Sequence, residues 1–92
     1  MKMTNTNYMI SYVIDFIEGR MERLDFDLDF PYNLKKYYPK MERECPDLAD
    51  CFSYYLVEQG YDESHDLQDD EYMELIQERF DEFMSVFDDG IL

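Results

Sequence analysis

The chain has 92 residues, 23 of them acidic against eight Lys and Arg, for a formal net charge of −15. Its apolar content of 46%, with nine Tyr and seven Phe, excludes the aromatic-poor composition of a disordered acidic tail. So negative a chain also argues against direct binding to nucleic acid or to an anionic membrane, and points to a partner rich in Lys and Arg.

Ninety-two residues suit one acidic domain spanning 1–92, near the size at which a single core gives only a modest stability margin. Three Gly, three Pro and no Trp leave few turn signals and favour long helices over a many-stranded sheet. The expected fold is mainly α, a small helical domain with a short strand or extended segment over 25–30.

Thr4, Asn5, Thr6 and Asn7 offer N-cap oxygens ahead of a helical pattern in which Ile10, Ile14, Ile17, Met21 and Leu24 form a core-facing stripe. Gly19 either costs that helix about 1 kcal/mol or ends it. The stretch "LDFDLDF" (24–30) then alternates Asp25, Asp27 and Asp29 with apolar residues. As a strand it is an ordinary half-buried alternation, and it also spaces three carboxylates about 6.6 Å apart, near the phosphate spacing of one DNA strand. Pro31 is expected to stop it, since proline holds the preceding residue extended. "YNLKKYYPK" follows as a short helical turn capped by Asn33 and closed by Pro39, with lysines that neutralise nearby carboxylates within the protein or across a dimer.

A second helix is expected from Pro46 to Gly60, burying Leu48, Cys51, Phe52, Tyr55 and Leu56. The connection "YDESHDL" is acidic, and Ser64 or Asp66 caps a last helix that Gly90 ends. Met73, Ile76, Phe80, Phe83 and Phe87 form its inward seam. Outward lie Glu71, Glu74, Glu78, Asp81, Glu82, Asp88 and Asp89, with Asp69 and Asp70 at the start. Like charges three and four residues apart repel by a few tenths of a kcal/mol per pair, and Asp88 and Asp89 sit at the unfavourable end of the helix dipole. Stability alone does not account for this face. The charge is concentrated accordingly: residues 1–43 carry seven acids and seven bases, whereas 44–92 carry sixteen acids and Arg79 alone.

Catalytic and cofactor chemistry finds little support. "DFDLDF" resembles the start of a calcium loop, but Phe30 stands where glycine is required and Lys36 where the last carboxylate belongs. His65 sits in a polar loop, and neither Cys45 nor Cys51 has an evident base or a metal-ligand spacing, so both are expected as reduced, partly buried thiols. There is no glycine-rich phosphate loop. The expectation is a non-enzyme without metal or cofactor. The N-terminal stretch lacks a cleavage signal and no run reaches the ~18 apolar residues of a membrane span, which points to a soluble cytoplasmic protein.

The acidic surface reads as a decoy for DNA. A duplex carries one charge per ~1.7 Å, so 15 charges match about 25 Å of it, and a homodimer would double that length. The acids proposed to stand in for phosphates are those of the last helix, the loop acids Asp62, Glu63 and Asp66, and Asp25, Asp27 and Asp29. The alternatives are an acidic divalent-metal-binding protein, a general acidic adaptor for a basic partner, or halophilic solvation.

The whole chain, from "MKMTNTNYMISYVIDFIEGR" through "DFDLDFPYNLKKYYP" to "FDEFMSVFDDGIL", resembles the Arn anti-restriction nuclease family of T-even bacteriophages. The resemblance implies a homodimeric DNA mimic that protects phage DNA by occupying the DNA-binding surface of the host's modification-dependent restriction enzyme McrBC. It supplies no residue-level motif, so the site residues rest on the reading above.

Overall fold

"LDFDLDF" is helical, not extended. In the computed structural model, which describes residues 3–88 and side chains to residue 86, it lies in the first third of one helix, Arg23–Glu44, that runs through both Pro31 and Pro39. The alternation conceals two rows four residues apart. Phe26 and Phe30 are fully buried, while Leu24 and Leu28 face solvent. Burying two phenylalanines against neighbouring aromatic rings outweighs the β-like alternation. Neither proline can donate a backbone hydrogen bond, a defect of about 3 kcal/mol in a helix interior. Both lie on the exposed side, and Asn33, expected as a cap, sits mid-helix with its Nδ2 donating to the Asp29 carbonyl at 3.0 Å.

Among the described residues every regular element is helical. The chain divides into two units, Met1–Ala49 and Asp50–Leu92. In the first, α1 (Thr4–Ile17) packs on α2 (Arg23–Glu44). The stripe expected from Ile10 to Leu24 is only partly inward. The buried row is Thr6, Met9, Ile10, Val13 and Phe16, and Leu24 is 65% exposed. The stripe fails because α1 stops at Ile17. Gly19 takes φ +81, its N–H donates to Phe16 O at 3.1 Å, and the Arg20 N–H donates to Asp15 O at 2.8 Å. That pair of bonds is a left-handed helix stop, which ends the helical phase before Met21.

An aromatic ladder joins the two helices. Phe16 lies 4.3 Å from Phe26, Phe26 lies 4.9 Å from Phe30, and Tyr12 stacks on Phe26 at 5.6 Å between centroids. Glu44, the last residue of α2, closes the open end. Its carboxylate accepts hydrogen bonds from the backbone N–H groups of Asn5 and Thr6 at 2.8 and 2.7 Å, and from Asn5 Nδ2 and Thr6 Oγ1 at 2.8 Å each. The expected local caps therefore do not cap. No side chain of the N-cap residue bonds there; a carboxylate 38 positions away neutralises the exposed donors and the positive end of the helix dipole. Tyr38 Oη donates to Ala49 O at 3.2 Å, fixing the end of α2 to α3 (Pro46–Phe52).

The expected helix from Pro46 to Gly60 changes pitch at Ser53. Residues Ser53–Glu58 are π-helical, and the Gln59 N–H donates five residues back to Tyr54 O at 3.1 Å. Gly60 ends this run by close approach. A Cβ there would lie 2.8 Å from Leu56 O, so no other residue fits without a backbone shift. α4 (Asp69–Asp88) packs on the π-helical stretch, with Phe52 edge-on to Phe83 at 5.5 Å. The Gly90 stop lies outside the described residues. No helix among those described is long and apolar enough to cross a membrane.

Burial alone would raise the Glu44 pKa, but its four hydrogen bonds hold it down to about 2 from 4.5. The native state thus favours the carboxylate, and this stabilisation is complete above the unfolded value and disappears as pH falls through the folded one. Glu44→Gln should cost about 1–2 kcal/mol at pH 7. Urea unfolding of both proteins should show the difference closing between pH 4.5 and about 2; a difference independent of pH would contradict the cap.

Candidate functional site

α4 is amphipathic. Tyr72, Ile76, Phe80 and Phe83 are buried, with Met73 half-buried and Tyr72 an inward residue beyond the expected seam. The Phe87 side chain is not among those described. On the opposite face Asp70, Glu71, Glu74, Glu78, Asp81 and Glu82 are all exposed. Twelve steps of about 1.5 Å span roughly 18 Å, so six carboxylates give about one charge per 3 Å of helix. One DNA strand carries one per ~3.4 Å.

These acids differ in what holds them. The helix cap falls at Gln68 rather than at Ser64 or Asp66. The Gln68 N–H donates to Glu71 Oε1 at 3.4 Å, the Tyr72 N–H donates to Gln68 O at 2.8 Å, and Asp70 Oδ1 accepts from the Glu71 N–H at 2.9 Å. Acids in a first turn also oppose the positive helix end, so Asp69, Asp70 and Glu71 have a local structural role. Glu74, Glu78, Asp81 and Glu82 lie beyond that turn. Arg79 pairs with Glu82 and lies 3.9 Å from Glu78. Among the described residues neither Glu74 nor Asp81 forms an ion pair.

The loop acids are held firmly. The buried Ser64 hydroxyl donates to Tyr61 O at 2.7 Å, and the N–H groups of Glu63, Ser64 and Leu67 donate to Gly60 O, Tyr61 O and Ser64 O. Asp62, Glu63 and Asp66 project from these successive turns into solvent. Glu63 joins the helix acids, because it lines a shallow depression with Tyr54, Glu58, Gln59, Leu75 and Arg79. A second depression shares Leu75 and is bordered by Leu67, Glu71, Glu74 and Glu78. A third is formed by Asp69, Asp70, Met73, Glu74 and Gln77. The second and third depressions are mainly apolar within a rim of carboxylates, which suits Lys and Arg, whose stems prefer apolar surface while their heads seek charge. Glu58 is the member that sequence reading omits; its signal is an acid two residues ahead of the Gly60 stop, on the helix preceding the acidic loop.

Asp25, Asp27 and Asp29 do not form the row that an extended segment would give. Helical geometry places Asp25 and Asp29 one turn apart and exposed, and turns Asp27 to a half-buried position on another side. Burial, with Asp29 the next influence and Asp25 adding to it, pushes the Tyr12 hydroxyl up to about 12. Asp88 closes α4, its side chain not among those described, and Asp89 lies outside the described residues. Cys45 and Cys51 are half-buried thiols not joined in a disulfide, and His65 packs edge-on against Tyr61 at 4.8 Å. Among the described residues no three His, Cys, Asp or Glu side chains converge to hold a metal ion.

Compared with known proteins, the chain matches no protein family, no curated protein and no solved structure.

Glu74 stands four residues from both Asp70 and Glu78. Glu74→Lys replaces two repulsions by two attractions and should stabilise the protein by about 0.5–1 kcal/mol at low salt. Chemical denaturation should show most of this gain vanishing at 1 M salt, where the Debye length is about 3 Å; a destabilised variant would mean that Glu74 holds the fold.

Proposed function

We propose that this protein is a bacteriophage anti-restriction DNA mimic. It acts in the host cytoplasm as a homodimer and occupies the DNA-binding surface of the modification-dependent restriction enzyme McrBC. The observation that carries the reading is the outward row of Glu74, Glu78, Asp81 and Glu82 on α4. These carboxylates raise the energy of their own helix, they lie past the turn where the dipole would reward them, and their axial density is close to that of one DNA strand.

The physical basis is exchange of contacts. A DNA-binding cleft positions its ligand largely through Lys and Arg on phosphates. Carboxylates on a helix whose other face is buried are presented already ordered, so binding forfeits little conformational entropy. Glu58 and Glu63 extend the row around Arg79, and the depression lined by Leu67 and Leu75 receives side-chain stems. No residue of the chain is assigned to catalysis; inhibition requires occupancy only. A general acidic adaptor would use the same face without competing with DNA, and competition separates the two.

Titrating the restriction enzyme with labelled cognate DNA in the presence of this protein should give mutual exclusion. The affinity for the enzyme should fall steeply with added salt. Glu74→Lys, Glu78→Lys and Asp81→Lys together should weaken inhibition by about a hundredfold or more, at roughly tenfold per 1.4 kcal/mol lost, with the circular-dichroism helix signal retained. Simultaneous binding of DNA and protein at undiminished affinity would overturn the mechanism.

A further inference from the structure

The depression beside Arg79 differs from its two neighbours in having an aromatic wall and a mixed polar and apolar lining. The change from α to π pitch builds that wall. The Gln59 N–H closes its turn on Tyr54 O, five residues back, so Gln59 joins Glu58 above Tyr54, where an α turn would bring Val57 and Glu58. Tyr54 is 48% exposed, and Tyr55 braces its ring edge-on at 5.0 Å between centroids. Leu75 and Arg79 of α4 supply more of the lining, and the turn Tyr61–Glu63 brings in Glu63, whose N–H donates to Gly60 O at 3.1 Å.

The charges of this depression do not balance. Arg79 is bonded to Glu82 with Glu78 close by, whereas among the described residues neither Glu58 nor Glu63 forms an ion pair. Two carboxylates from separate elements therefore share a recess with one exposed aromatic ring. Lysine and arginine differ in what they gain there. An ammonium is a compact, strongly hydrated point charge, and the outer row of α4 serves it as well. A guanidinium is flat, more weakly hydrated and carries five donors in one plane, so it stacks on a ring face while its edge bonds carboxylates on either side.

We propose that this depression seats one arginine side chain of a basic partner, with the guanidinium on the face of Tyr54 and its edge held by Glu58 and Glu63. That selection rests on the reading under which this face meets a partner rich in Lys and Arg, and it adds which of the two the recess takes. A short peptide probes it without DNA or a restriction enzyme. Loss of the arginine preference would therefore leave competition with DNA standing, and absence of competition would leave the preference standing.

The isotope-labelled full chain, titrated at about 0.15 M salt with acetylated, amidated tri-arginine and separately with tri-lysine, compares two probes of equal charge by nuclear magnetic resonance. Tri-arginine should shift the Leu75 methyl and Arg79 Nε–H resonances and bind about threefold more tightly than tri-lysine, the scale of a cation–π contact at an exposed site. Tyr54→Leu should abolish the preference while changing tri-lysine affinity by less than about twofold, and Tyr54→Phe should keep it. Glu58→Gln with Glu63→Gln should weaken tri-arginine binding about fivefold, which supplies an independent reading should Tyr54→Leu lose helicity. Equal affinity for the two peptides, a preference that survives Tyr54→Leu, shifts confined to the outer face of α4, or a tri-arginine affinity unmoved by the paired glutamines would each overturn the assignment.

Discussion

Everything proposed for α4 depends on one imbalance, between what its inner face gains and what its outer face costs. Tyr72, Ile76, Phe80 and Phe83 are buried, and complete burial of a side chain of this size contributes about 1.5–3 kcal/mol. Each like-charge neighbour pair outside costs about 0.2–0.5 kcal/mol. Four buried anchors outweigh a handful of repulsions several times over, so the helix stays formed while carrying a row of carboxylates it would be more stable without. The ordered anionic surface follows from that surplus. A chain with the same charge and no such core would leave its acids on a fluctuating coil, where ordering them would consume the binding energy.

The first unit meets a comparable difficulty on the backbone. α2 includes two prolines and begins in a segment whose alternation suits a strand. It persists because Phe26 and Phe30 enter the ladder with Tyr12 and Phe16, and because both prolines face outward, where water can satisfy the backbone groups they leave. Glu44 then ties the far end of α2 to the start of α1. A helix entered without a local cap and a helix containing two interior prolines are both uncharacteristic alone; together each supplies what the other lacks.

This is also where sequence reasoning reaches its limit. The mainly helical class is legible from composition and the outward placement of the α4 acids from a 3.6-residue period that nothing interrupts, whereas glycine chemistry marks Gly19 as a weak point without deciding that the helix ends there. The 24–30 stretch is not legible in the same way, because alternate and every-fourth spacings coincide in it. Only the tertiary choice between the Phe26–Phe30 row and the Leu24–Leu28 row fixes its state, and that choice is made by rings on another helix. The Glu44 cap is invisible for a related reason. Four plausible local capping residues occupy the N-terminus, and no local pattern announces a carboxylate 38 positions downstream. The π-helical run at Ser53–Glu58 likewise follows from packing, since its residues carry a normal helical pattern up to Gly60.

Arg79 is the single Lys or Arg among the last 49 residues. It is mostly buried, its side chain 23% exposed, and it pairs with Glu82 while bordering the depression that holds Glu58 and Glu63. Loop and helix acids converge at that point, so uncompensated repulsion would be greatest there. One internal cation relieves it, and among the described residues neither Glu74 nor Asp81 forms an ion pair. Had the surplus been distributed for solubility alone, basic residues would be interspersed along α4 at every second turn. Instead the compensation is confined to the junction that needs it, and the negative potential is preserved on the part of the helix that faces outward.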